Sequence, residues 1–246
     1  MRIAIITDIH EDFEMLEKAF GKLQSLGYDL LVCLGDITGF AHRYYDHPPD
    51  ANACIDLVRE YAHFSLAGNH DLFSVQRLPS YHLERHMPDN WYDLSIEEQA
   101  SLTGEKLWLY EAEVVPLLSP ENRNYLESLP EFKALDTGAR KIFFSHFMQP
   151  DLSGVSRWFP FHTGELRQHL RLMKELNCQV AFAGHSHPLG ISMAGKFLWA
   201  DPGFSQVKIN HSPKIVFCPA IVNGRNTSGF IIFDTHSSII TPVPLN

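Results

Sequence analysis

The chain is poor in the features that mark several protein classes. Its 246 residues include four cysteines, Cys33, Cys54, Cys178 and Cys218, widely spaced and without a C-x-x-C pair, which argues against a zinc ribbon and against a disulfide framework. Cys33 lies in the apolar run Leu30 to Leu34 and reads as a small buried thiol. Basic residues are outnumbered: 20 Lys and Arg against 29 Asp and Glu give a formal net charge of -9. Non-specific grip on a nucleic-acid backbone needs a basic face, so no nucleic-acid partner is expected. No apolar run approaches the length of a membrane span, and the N-terminal run is broken by Asp8 before it could form the core of a secretion signal. The expectation is no membrane partner and, by default, a cytoplasmic location. Internal repeats and low-complexity tracts are also missing.

An apolar fraction of 45% with 20% charged residues is ordinary for a soluble globular protein. α/β chains of this length are commonly one domain, so residues 1–246 are read as a single domain. Five short apolar runs read as buried strands: Ile3 to Thr7, Leu30 to Leu34, His63 to Ala67, Lys141 to Ser145 and Gln179 to Ala183. Each is rich in β-branched or aromatic residues and bounded by turn formers. Phe13, Leu16, Phe20 and Leu23 recur at helical spacing within Glu11 to Leu26, and Gly27 is placed to end that helix. Further helices are predicted over Ala51 to Tyr61 and over Gly164 to Leu176, the latter with Leu166, Leu170 and Met173 inward. Alternation of strands and helices predicts an α/β fold. Residues 72–129 break the rhythm as a helical excursion, with a capping box at Ser95 and Glu98 and a helix start at Ser119-Pro120. After Pro188 the pattern turns to strands at Lys214 to Cys218, Gly229 to Asp234 and Ser237 to Val243.

The chemistry lies at the C-terminal ends of the five runs, where the chain carries Asp8-Ile9-His10, Gly35-Asp36, Gly68-Asn69-His70-Asp71, His146, and Gly184-His185-Ser186-His187. Ligand sites of α/β sheets gather at the carboxyl ends of strands, so these termini can converge in one crevice. Asp8 and His10 stand two apart in an extended segment and can point to one side, as can His185 and His187, so each pair can pinch a metal. Carboxylate, amide and imidazole donors without thiolates suit Mn2+, Fe, Zn2+ or Co2+. Asp8, His10, Asp36, Asn69, His146, His185 and His187 are too many ligands for one ion with an open position. Two ions sharing a carboxylate are expected, an arrangement used for in-line displacement at phosphorus.

In this order the motifs resemble those of the calcineurin-like metallophosphoesterases, in particular the compact bacterial and archaeal phosphodiesterases and phosphatases, and the resemblance runs from Arg2 to Asp234. It implies a four-layer α/β/β/α sandwich of two mixed sheets. It further implies that Asp8, His10 and His187 hold one ion and Asn69, His146 and His185 the other, with Asp36 bridging. Mn2+ is the leading candidate, with Fe, Zn2+, Co2+ and Ni2+ as alternatives. A metal-bridging hydroxide would attack phosphorus, His70 would protonate the leaving oxygen, and Asp71 would orient the His70 ring. The implied substrate is a small phosphodiester or phosphomonoester, nucleotides included. A dinucleoside polyphosphate or a phosphoprotein is the alternative within the enzyme class. The alternative from another class is a non-catalytic, metal-binding interaction scaffold, against which the retention of His70 and all the ligands weighs.

Arg43, after the Asp36 strand end, and Arg225, in a late turn, are the candidate contacts to a substrate phosphate, weighed against an ordinary solvated surface. Two segments depart from the family pattern. Glu11-Asp12 stands in place of the usual Gly-Asn and adds negative charge near the expected pocket. Cys218-Pro219-Ala220-Ile221 stands in place of Asn-Pro-Gly-Ser, with Asp201-Pro202-Gly203 as a rival match. The run Arg157-Trp158-Phe159-Pro160-Phe161 reads as packed against the body, ahead of a lid that stacks on a base. His82 and His86 are spaced for one helix face, but Leu83 stands where a zinc-protease motif needs Glu, so a solvated face is expected. Asn226-Thr227-Ser228 matches a glycosylation sequon to which no role is assigned.

Overall fold

The first strand, β1 (Arg2–Ile6), is buried on both sides: Ile3 and Ile5 enter one apolar cluster, Ala4 and Ile6 another. The same two-sided burial recurs in the inner strands and sets the layers of the computed structural model, which describes residues 1–81, 87–209 and 213–245. One sheet has the order β3 (Phe64–Ser65), β2 (Leu30–Cys33), β1, β11 (Gly229–Asp234), β12 (Ile239–Pro244), β9 (Val207–Lys208). Its first three strands run parallel and the rest pair antiparallel. The other sheet has the order β4 (Phe132–Asp136), β5 (Lys141–Ser145), β6 (Val180–Ala183), β10 (Lys214–Phe217), β7 (Ile191–Ala194), β8 (Trp199–Gly203), with β5, β6 and β10 parallel.

The sheets pack face to face through Val32, Phe144, Val180, Phe182, Val216 and Phe233. The Phe182 and Phe233 rings meet across the interface with centroids 5.2 Å apart. Truncating Phe182 to Ala there would cost about 3–5 kcal/mol, because little can collapse into the space left between two sheets. On the outer face of the first sheet, α1 (Phe13–Leu26), α2 (Ala51–Tyr61) and α5 (Pro120–Ser128) bury Leu16, Leu23, Ile55, Val58 and Leu126. On the outer face of the second, α6 (Arg167–Glu175) and the 3-10 turn before it, Thr163–Leu166, bury Met173 and Leu166. The result is the four-layer sandwich of two mixed sheets that the motif resemblance implies.

Local chemistry explains the boundaries. Asp12, not Glu11, caps α1, its carboxylate accepting from Met15 N at 3.1 Å, so the helix starts two residues later than its apolar spacing suggests. The 72–129 excursion carries the end of α3 (Asn69–Ser74), a 3-10 turn at Trp91–Asp93, α4 (Ile96–Thr103) and α5. The Ser95–Glu98 capping box forms reciprocally at 2.8 and 3.2 Å, and Ser119 Oγ accepts from Asn122 N at 3.2 Å, as expected. Between α4 and α5, residues 105–118 form an irregular strap, tied to the body by bridges Leu107–Ser156 and Phe40–Val114. The four cysteines are buried and free. No described helix is long and apolar enough to cross a membrane. His82 and His86 lie outside the described residues.

Candidate metal centre

The carboxyl ends of β1, β2 and β3 in one sheet and of β5 and β6 in the other open on the same edge, and close approach there needs glycine. A Cβ on Gly184 would collide with Thr7 Oγ1 and lie 2.5 Å from Asp8 Oδ2, and one on Gly68 would collide with Asp36 Oδ1. The backbone turns sharply to present the ligands: Asp8, His10, Asp36, His185 and His187 all take left-handed φ values, 54, 48, 53, 63 and 44°. Such conformations cost about 1–3 kcal/mol each in a non-glycine residue and persist only where the surroundings hold them. Here Ile9 N and His10 N both donate to Asp36 O, at 2.7 and 3.0 Å, and Val222 N donates to Asp8 O at 3.0 Å.

Three sets each bring their ligand atoms within 4.8 Å of one another: Asp8, His10 and His187; Asp36, His146 and His185; and His10, Asp36 and His70. His187 Nε2 lies 3.1 Å from Asp8 Oδ1 and 3.2 Å from His10 Nε2, and His146 Nε2 lies 3.0 Å from Asp36 Oδ2. The far nitrogens of two rings are tied to carbonyls, His10 Nδ1 to Gly39 O at 2.9 Å and His146 Nδ1 to Leu34 O at 3.1 Å. An Nδ1–H donated outward leaves the Nε2 lone pair facing inward, the arrangement that orients a metal-binding imidazole. Nε2 of His185 and Oδ1 of Asn69 are buried with no hydrogen-bond partner, and the buried His146 Nε2 faces the carboxylates of Asp36 and Asp8. An orphaned polar atom costs about 1–3 kcal/mol, and a buried cluster of Asp36, His146 and His185 donors fits a divalent cation, which would satisfy them together.

The electrostatics are those of a ligand set. Burial alone would raise the Asp36 carboxyl, but the facing His146 and His70 imidazoles outweigh it and hold the group below the ordinary carboxylate range. Asp8 behaves alike: burial is outweighed by His187 and His146, which hold it at about 2. Burial pushes His10 and His185 down to about 3, which keeps both in the neutral form that ligates metals. For His70, burial is outweighed by Glu113 and Asp36, which raise it to about 10.

Among residues proposed from sequence, Asp8, His10, Asp36, Asn69, His70, His146, His185 and His187 come together at this edge. Asp71 requires a correction. Its Oδ2 accepts from Asp36 N at 2.7 Å and Gly68 N at 3.0 Å, and its Oδ1 from Ile37 N at 2.9 Å and Thr38 N at 3.1 Å. It secures the loop that carries Asp36 and does not orient the His70 ring. That contact belongs to Glu113 of the strap, whose Oε2 is 2.5 Å from His70 Nδ1, a residue that no motif singled out. Neither side chain of Glu11-Asp12 lines the cavity: Asp12 caps α1, and Glu11, 3% exposed, lies behind the wall, where it accepts from Gly39 N at 3.1 Å. Burial pushes Glu11 up to about 7, against the opposing Gly39 and Phe40 amides.

A cavity of about 510 Å³ opens beside the ligands and is lined by Arg43, Tyr45, Trp108, Tyr110, Arg157 and Phe159, among others. Arg43 thus stands at the pocket, whereas Arg225 is exposed and is not among the lining residues. The Arg157–Phe161 run packs on the body as expected: Trp158 lies against Phe147, with centroids 5.9 Å apart, and Phe159 stacks on His185 at 5.2 Å and 12°. Phe161 at its end is exposed. The departure at Cys218 to Ile221 is backbone support for the Asp8 loop, Ile221 N donating to Thr7 O at 3.0 Å. Asp201-Pro202-Gly203 lies in β8, an edge strand. Asn226, the sequon residue, donates its side-chain amide to His187 O at 2.7 Å.

Comparison with known proteins gives the family and the fold. The family model described as calcineurin-like phosphoesterase matches residues 1–189. An uncharacterized protein of Methanocaldococcus jannaschii is 24% identical over 237 residues, 94% of this chain and 82% of that protein. Among solved structures, a metallophosphoesterase from Sphaerobacter thermophilus aligns with a TM-score of 0.68 at 20% identity, covering 100% of this chain and 88% of that one. A hypothetical protein from Pyrococcus horikoshii aligns with a TM-score of 0.60 at 16% identity, covering 99% and 87%. Both structures share the fold.

Proposed function

The chain belongs to the calcineurin-like phosphoesterases, metal-dependent hydrolases of phosphoric esters, and on that premise we propose that it cleaves small phosphoesters at a two-metal centre. Asp8, His10 and His187 would hold one ion and Asn69, His146 and His185 the other, with Asp36 between them. The observation that carries this reading is the buried cluster of Asp36, His146 and His185, with His185 Nε2 and Asn69 Oδ1 unpartnered, beside a second cluster of Asp8, His10 and His187. Divalent ions bound there supply a water of lowered pKa and the positive charge that offsets the phosphoryl oxygens.

The protein's own residues do the rest. His70 Nε2, 4.0 Å from Asp36 Oδ2, faces the centre and is placed to give a proton to the leaving oxygen. Arg43 and Arg157 line the cavity and offer guanidinium donors to the remaining phosphoryl oxygens or to a second phosphate. The strap and the Phe159 segment contribute Trp108, Tyr110 and Phe159 to the cavity wall beside the ligands. Tyr44, Tyr45, Trp108, Tyr110 and Phe159 wall the cavity. A half-open, aromatic-walled space of about 510 Å³ is of the size that takes a nucleotide-sized ester.

Chelated protein reloaded with Mn2+ and assayed on bis-p-nitrophenyl phosphate, p-nitrophenyl phosphate and a nucleotide panel tests the reading. Turnover that requires Mn2+ is expected. His70→Ala should lose turnover and keep its metals, whereas Asp36→Asn should lose the metals themselves. Two bound metals with no turnover on any ester would favour the scaffold, and equal metal loss in both variants would overturn the division of roles.

A further inference from the structure

We propose that Glu113 is the positioning residue for His70, so that the strap over the cavity is part of the catalytic apparatus as well as its wall. The inference rests on the reading of His70 as donor to the leaving oxygen.

The packing holds the His70 ring in a narrow slot. On one side it abuts Gly39, where an added Cβ would lie 2.5 Å from both Cβ and Cγ of the histidine. Tyr110 packs edge-on at 5.2 Å and 73°, and His10 edge-on at 4.9 Å and 82°. The ring can still turn end over end in this slot, and the contact from Nδ1 to Glu113 Oε2 at 2.5 Å decides which way it faces. With Nδ1 held, Nε2 points to Asp36 and the cavity. Turned over, the ring would put carbon there and could pass no proton. The carboxylate is itself fixed. Its side chain is 3% exposed, Glu113 N donates to Tyr110 O at 3.0 Å, and Val114 N donates to Phe40 O at 2.9 Å.

Gly39 explains why the partner comes from so far away in the chain. Any side chain at this position would occupy the place of the His70 ring, so the loop after Asp36 can offer no carboxylate from there, and Asp71 is committed to four backbone amides. The strap supplies what the strand ends do not. As the phosphorus–oxygen bond to the leaving group breaks, the proton on His70 Nε2 passes to the leaving oxygen and the ring ends neutral, its Nδ1–H still donated to Glu113.

The test compares metal-loaded wild type, Glu113→Gln, Glu113→Asp, His70→Ala and the Glu113→Gln/His70→Ala double variant on one phosphoester series. The leaving groups run from nitrophenolate, which departs unaided, to an alkoxide, which needs a proton. Glu113→Gln should lower kcat on the alkoxide ester about 10- to 100-fold, with a much smaller loss on the nitrophenyl ester and no change in KM or metal content. Glu113→Asp, which keeps the charge, should recover part of the loss, and the double variant should be no slower than His70→Ala alone. An equal loss on both esters, loss of metal, or losses that multiply in the double variant would overturn the proposal. A leaving-group-dependent loss in His70→Ala with none in Glu113→Gln would overturn it while leaving the reading of His70 intact. No such dependence in His70→Ala would overturn both.

Discussion

Replacing Asp71 by Asn should cost stability and metal together, because the carboxylate is a fastening for the Asp36 loop. Each of its oxygens takes two backbone amides, Asp36 and Gly68 on Oδ2, Ile37 and Thr38 on Oδ1, all between 2.7 and 3.1 Å. A carboxamide presents one oxygen and one NH2. Whichever way it turns, two buried N–H groups meet a donor instead of an acceptor. At about 1–3 kcal/mol per orphaned buried donor the loss is about 2–6 kcal/mol, a large part of the 5–15 kcal/mol by which a domain of this kind is stable. The loop that fixes Asp36 should loosen in step, so affinity for metal falls as well. Urea unfolding of the chelated protein, read by circular dichroism, gives the first quantity, and competition with a chromophoric chelator gives the second. An unfolding midpoint equal to wild type with a selective fall in kcat would refute the reasoning and return Asp71 to a catalytic role.

Acid should destabilise the fold through His169, which is fully buried and accepts from Gln149 N at 3.1 Å, so that burial pushes it from 6.5 down to about 3. The unfolded chain takes up a proton between those values and the native state does not. The contribution is therefore complete above pH 6.5 and is lost as pH falls towards 3, about 2 kcal/mol of it between pH 7 and pH 5. His169→Leu should flatten that part of the stability–pH curve relative to wild type, and an unchanged slope in urea titrations would contradict the assignment. Gly184→Ala, whose Cβ would displace the Asp8 carboxylate, should weaken metal binding about tenfold or more in the same chelator competition. Gly21→Ala, in α1 with nothing within 4 Å of the added Cβ, should raise stability by about 0.5–1 kcal/mol, and a fall would show that the helix is held otherwise.

The strand ends that gather the ligands were legible because the same short apolar runs that make buried strands stop at polar residues with metal-binding chemistry. Placement on the carboxyl edge is then a consequence of the α/β pattern itself. Of the four edge strands only β3 was legible, as the run His63 to Ala67, and β4, β8 and β9 were not. β8 runs through Asp201-Pro202-Gly203, which reads as a turn, and a proline can stand there because β8 ends its sheet. β4 is half exposed along its length and shows no apolar run. Asp71 was misread because adjacency in sequence suggested contact. On α3, residues 70 and 71 point about 100° apart, one into the cavity and the other back under the Asp36 loop. Glu113 carried no signal at all: its contact with His70 spans 43 residues and comes from a strap without regular structure, so only the folded chain reveals it.

The most direct measurement is an anomalous-difference map, recorded at the manganese edge from crystals of the Mn2+-loaded protein. The account predicts two peaks roughly 3.5–4 Å apart, one against Asp8, His10 and His187, the other against Asn69, His146 and His185, with Asp36 reaching both. A single peak, or two peaks of which Asp36 touches only one, would contradict it.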